Sequence, residues 1–212
     1  MLLIKVPLWE KLLENIQIGT YGWQHSNWSE VFYPSDLPAE WQLDYFANAF
    51  RVVLVPMSDW LAWSESDLDE IVESIENEFS MFFAVQGDLN QTQITHLKKI
   101  VSCVGASTKG VVIWSDKAFS NTRIAGLPVT LISQNFTLPG WSWQYNGLHM
   151  SGSPLGYLAE LPEDGREQAA ILRDFAAFLP VKVAGAPLVV GGDSVDMAQV
   201  INLKTVSELL GL

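Results

Sequence analysis

Short apolar runs alternate along this chain with segments whose apolar residues recur at helical spacing. Val52-Val53-Leu54-Val55 lacks polar alternation, as a strand covered on both faces requires. Similar runs predict strands over Ile16–Gly19, Met81–Val85, Val111–Trp114, Val129–Ile132, a stretch ending near Met150, and Leu188–Val190. Between them, Leu68, Ile71, Val72 and Ile75 line one helix face, and Leu97, Ile100, Val101 and Val104 line another. Trp9, Leu12, Leu13 and Ile16 predict a short leading helix with Pro7 near its first turn. Asp164 and Glu167 have capping-box spacing ahead of Leu172, Phe175, Ala176 and Leu179, and a last helix runs from about Asp196 to Leu210.

Strand and helix in repeated succession imply right-handed crossovers and a parallel sheet, closed as a barrel or open and doubly wound. The barrel is favoured: an α/β, TIM-like β/α barrel, incomplete or distorted, with about seven parallel strands. A full eight-fold barrel takes about 250 residues, and this chain has 212. The stretches Ser115 to Leu127 and Ser133 to Trp143 are too short or too polar for full helices, so one or two helices are expected to be shortened or absent.

Composition narrows the class. Residues 1–212 suit one domain with a short N-terminal helical extension. Hydrophobic residues make up 49% and charged residues 17%, which excludes disorder, and no apolar run approaches the roughly 20 residues of a membrane helix. The start, Met1-Leu2-Leu3-Ile4-Lys5-Val6-Pro7, lacks a basic region followed by a long apolar stretch, so a cytoplasmic location is expected. Cys103 is the single cysteine; it rules out a disulfide framework and is expected on the buried side of its helix. A net charge of -12 argues against nucleic acid as a partner.

In β/α barrels the reactive groups gather at the C-terminal ends of the strands, where the loops converge on one mouth. His25 follows the first strand, Asp59 the second, Asp88 the third and Asp116 the fourth. His149 lies at the end of the sixth, Asp193 follows the last, and His96 opens the helix after the third. His25, His96, His149, Asp116 and Asp193 are thus the candidate catalytic residues. Together they can hold a divalent metal ion or supply general acid and base groups near neutral pH. The competing reading is that polar loop residues gather at this face in any such fold. Gly191-Gly192-Asp193-Ser194 can cradle an anion with backbone N–H groups, or simply make a tight, capped turn into the last helix. Nine tryptophans are present, and Trp23, Trp28 and Trp60 near strand ends either stack on a sugar or another flat ligand or plug a barrel that has lost helices. Ser133, Ser151 and Ser153 stand in no Gly-x-Ser-x-Gly elbow.

Ile18-Gly19-Thr20-Tyr21-Gly22-Trp23, Trp28, Val31-Phe32-Tyr33-Pro34, Leu43-Asp44-Tyr45-Phe46-Ala47 and Phe50 together resemble the opening of the YecE-like family of unknown function, domain of unknown function 72. Phe83-Ala84-Val85-Gln86 with Ile94-Thr95-His96, and Val189-Val190 through Leu209-Leu210, are weaker echoes. The resemblance implies a TIM-like barrel. It also implies altered polar positions at the mouth. Val55-Pro56-Met57-Ser58-Asp59-Trp60 replaces an acidic, asparagine-containing stretch, Gln86 stands for a lysine, and His149-Met150-Ser151-Gly152 stands where the family carries an arginine and His-Gly. The reading that follows is a short, divergent member acting as a small-molecule-binding or non-catalytic barrel. The alternatives are a hydrolase or metal-assisted enzyme with a His/Asp site at the strand ends, and an interaction scaffold that forms a homodimer through an exposed edge. No motif selects a reaction class.

Overall fold

The computed structural model describes residues 16–75, 78–181, 183, 185–192 and 195–212. The described residues form ten strands and six α-helices. β1 (Ile16–Tyr21) leads through two short 3-10 turns to α1 (Gln42–Ala49), and β2 (Val52–Val55) leads to α2 (Met57–Ala62) and α3 (Glu65–Ser74). β3 (Ser80–Gln86), α4 (Gln91–Val104) and β4 (Thr108–Trp114) follow. Next come β5 (Arg123–Ile124), β6 (Leu127–Ser133), β7 (Trp141–Tyr145), β8 (Leu148–Gly152) and β9 (Gly156–Leu158). α5 (Gly165–Phe178), β10 (Ala186–Val190) and α6 (Met197–Leu210) complete the chain.

The sheet order is β7-β8-β6-β4-β3-β2-β1-β10-β9, with β5 paired to β6 on the side. Seven consecutive strands, β9, β10, β1, β2, β3, β4 and β6, run parallel to one another. All four residues of β2 are buried, as its unbroken apolar run requires of a strand with covered faces. The sheet curls into a nearly closed, incomplete barrel. Tyr21 on β1 and Trp114 on β4, which are not sheet neighbours, meet edge to face at 6.1 Å, and Trp114 meets Tyr157 on β9 at 5.2 Å. Such contacts between separated strands cross the barrel interior.

Two expectations are corrected here. The segment ending near Met150 is no parallel strand: it is β8, antiparallel to both β6 and β7. Asn146 and Gly147 both have positive φ, 48° and 78°, as the two central residues of a type I′ hairpin turn require. The seventh parallel strand is instead the short Gly156–Leu158. Cys103 is exposed, not buried. At ~100° per residue it lies ~60° from Ile100 on the side opposite Leu97 and Val104, so it falls off the buried stripe.

Described residues 115–126 and 134–140 contain no helix, as their length and polarity predict. Tryptophans cover part of that gap. On β7, Trp141 Nε1 donates to the Phe178 carbonyl at 2.9 Å, Trp143 Nε1 donates to Asp174 Oδ2 at 2.8 Å, and both rings pack on Phe175 of α5. Side chains thus bind the hairpin to the next helix where backbone pairing stops. The Tyr157 amide adds a bond to Met150 Sδ at 3.2 Å across the same seam.

The predicted helices start at side-chain caps. Ser64 with Asp67 and Asn90 with Gln93 form capping boxes at α3 and α4, Asp164 caps α5, and Asp196 caps α6. The expected leading helix, Trp9 to Ile16, lies outside the described residues except for Ile16, which begins β1. No helix among the described residues is long and apolar enough to cross a membrane.

Candidate functional site

Tyr21, Gln86 and Trp114 are the last residues of β1, β3 and β4, so the parallel sheet brings them to one end of the barrel. Tyr157 on β9 and Gly192, just past β10, complete an open cleft of about 320 Å³. Glycine makes room for it: a Cβ on Gly191 would lie 2.3 Å from the Tyr157 hydroxyl. Gly192 has φ +113°, and a Cβ there would lie 2.6 Å from the Ala159 carbonyl.

The described residues that line this cleft are uncharged: Tyr21, Gln86, Trp114, Tyr157 and Gly192 include no Lys, Arg or His. The Tyr21 hydroxyl, the Trp114 indole N–H and the Gln86 side-chain amide have no hydrogen-bond partner among the described residues. Burial raises the Tyr21 phenol above its ordinary range, and the nearby Asp59 carboxylate raises it further. At neutral pH Tyr21 is therefore a phenol that can both donate and accept a hydrogen bond.

The residues singled out from the sequence are distributed differently. His25 Nε2 is 2.8 Å from the Tyr21 carbonyl oxygen, and its ring packs on Trp28 at 4.3 Å. His96 Nε2 is 2.8 Å from the Trp60 carbonyl oxygen, with the two rings nearly parallel at 6.3 Å. Each of these ring nitrogens is engaged in fixing local backbone. His149 does lie at the mouth end, for a reason other than the expected one: it sits early in antiparallel β8, opposite Ser133 at the end of β6. Asp116 Oδ1 accepts from the Ser133 hydroxyl at 3.0 Å and from the Gln134 amide at 2.8 Å, so it pins the loop after β6. Asp193 lies outside the described residues. Among the described residues no group of three or more His, Cys, Asp or Glu side chains is placed to hold a metal ion.

All three of the tryptophans expected to stack on a ligand are core residues. Trp28 and Trp60 are fully buried, and their N–H groups donate to the carbonyls of Val195 and Ala84, both at 2.8 Å. Neither indole is open to a ligand, so the plugging role describes them. Trp23, also buried, borders a separate groove with Trp63 and Asp59. Gly192 belongs to the cleft, while the Gly191 amide donates to the Leu158 carbonyl at 2.8 Å and is thereby taken up by the strand ladder. Tyr157 was not expected, because its three-residue strand carries too little pattern to place it. Trp114 carried a signal, an aromatic residue ending an apolar strand.

The family model described as "Protein of unknown function DUF72" matches residues 17–122, half of the chain. This chain is a member of the DUF72 family. YecE-like is another name for that family, so the resemblance in the opening segment is borne out. Among solved structures, a DUF72 family protein of Thermotoga maritima MSB8 is 12% identical with a TM-score of 0.58, over 93% of this chain and 99% of that one. A DUF72 family protein of Enterococcus faecalis V583 is also 12% identical, with a TM-score of 0.60 over 91% and 95%. At these identities the likeness shows the shared fold. No curated protein matches the chain.

Proposed function

We propose that this DUF72 member is a small-molecule-binding barrel whose ligand enters the cleft bounded by Tyr21, Gln86, Trp114, Tyr157 and Gly192. The observation that carries the reading is the convergence, on one concave aromatic site at the strand C-terminal ends, of three neutral hydrogen-bonding groups with no partner among the described residues. The aromatic rings supply apolar contact, and the polar groups fix orientation. Described lining residues without a cation disfavour phosphorylated ligands, and the field of Asp59 that reaches Tyr21 acts in the same direction. The hydrolytic or metal-assisted alternative has less support. The Nε2 atoms of His25 and His96 are occupied by backbone carbonyls, and Asp116 is occupied by the loop it caps.

The test is fluorine NMR on protein labelled with 5-fluorotryptophan, with the Trp114 resonance assigned through Trp114→Phe. A set of uncharged fragments is expected to shift the Trp114 signal and leave those of buried Trp28 and Trp60 in place. If every fragment leaves Trp114 unmoved, the cleft is not a binding site.

A further inference from the structure

We infer that the ligand of this cleft is a single saturated, uncharged polyhydroxylated ring, a neutral pyranose or cyclitol; the inference rests on the binding site proposed above. The angles of the aromatic walls point to it. Tyr21 stands at 86° to Trp114, and Tyr157 at 84°. Walls at right angles cannot sandwich a planar nucleobase between two parallel faces. Perpendicular walls offer it one face and one edge. A chair-form sugar presents C–H groups on its faces and hydroxyls around its rim, so it can set C–H groups against an aromatic face while the rim remains open to polar partners.

The polar groups are of the matching kind. Trp114 Nε1–H only donates, whereas the Tyr21 hydroxyl and the Gln86 amide both donate and accept. A ring bearing several hydroxyls, each able to do either, can satisfy all three at once. A ligand with acceptors alone would leave the Gln86 carbonyl oxygen unpaired. Charge follows the same line. A phosphate or carboxylate on the ring would find no Lys, Arg or His among the described lining residues and would feel the field of the Asp59 carboxylate that reaches Tyr21.

The size of the cleft suits a ligand of one ring. About 320 Å³ is at the small end of the ~300–1,000 Å³ range of ligand pockets. Without an ion pair, affinity on the order of 1 mM is expected.

The fluorotryptophan experiment, run with defined probes, separates the outcomes. Methyl glucopyranoside, methyl galactopyranoside, methyl mannopyranoside and inositol are titrated beside glucose 6-phosphate, glucuronate and adenosine. The inference predicts that at least one neutral ring shifts the Trp114 resonance with saturation, and that the two anionic sugars bind at least ~10-fold more weakly. Whether a pyranoside or inositol binds more tightly identifies the source of the ring. Tyr21→Phe and Gln86→Ala each remove one polar partner from the mouth and are expected to weaken binding by about 5- to 10-fold. Their folding is checked by circular dichroism. Adenosine binding without the neutral rings, or an anionic sugar binding as tightly as its neutral parent, overturns the ligand class while leaving the cleft a binding site. Failure of every probe and of the wider fragment set overturns both.

Discussion

Gly19 on β1 packs against Val52 of β2: a Cβ there would fall 2.0 Å from the Val52 carbonyl oxygen and 2.6 Å from a Val52 methyl. The clash is with backbone, so relief requires moving a buried strand. Gly19→Ala is expected to lower the unfolding free energy by about 3 kcal/mol, at the upper end of overpacking effects. Urea titration followed by circular dichroism measures it, and a change below about 0.5 kcal/mol would mean that β1 and β2 can separate there freely. The opening segment thus carries packing information as well as ancestry. The candidate residues were less transparent. His25 and His96 are polar residues in regions that sequence order assigns to one face, yet each ring ends 2.8 Å from a backbone carbonyl that no local pattern announces. Cys103 failed for a simpler reason, since its angular distance from Leu97 and Val104 outweighs its apolar neighbours in sequence.

At the scale of elements, α4 depends on its entry. Asn90 accepts from the Gln93 amide, and the Gln93 side chain accepts from the Asn90 amide, both at 3.0 Å. Asn90→Ala removes half of this reciprocal pair and is expected to cost about 1 kcal/mol in urea denaturation, whereas Asn90→Ser should retain most of that stability. If the two variants were equally stable, the cap would contribute nothing measurable. Strands and helices with long runs were legible because burial on both faces, or on one helical stripe, imposes a period on the sequence. β2 and α6 follow their predicted spans closely. The hairpins were less visible, although Asn146-Gly147 and Ala125-Gly126 carry paired positive φ values. The first is a recognised hairpin signal. A three-residue strand such as β9 has no room to show a period, and its pairing with β10 defines it.

At the scale of the whole molecule, 24 acidic residues face 12 basic ones, and the ion pairs Arg51–Glu78, Lys99–Glu65 and Lys204–Glu208 are at the surface. Unscreened repulsion opposes the compact state. Raising salt from about 0.02 to about 0.3 M shortens the Debye length several-fold. A gain of ~1 kcal/mol corresponds to a rise of about 2–4 °C in Tm for a chain of this size. Scanning calorimetry is expected to record that rise, and a fall would show that the surface ion pairs outweigh the repulsion. The sequence by itself determined the long buried strands, the longer helices, the parallel sheet they imply and the acidic character, because periodicity and composition suffice for these. The family came from the particular residues of the opening segment, Ile18 to Trp23 and the aromatic positions that follow. Tertiary structure decided which side chains share the mouth. Tyr21, Gln86, Trp114 and Tyr157 are separated by up to 136 positions and meet only because the sheet curls. It also decided that β8 turns back on β6 and that two histidines bind carbonyls, since both depend on distances across the barrel that no run of neighbouring residues encodes.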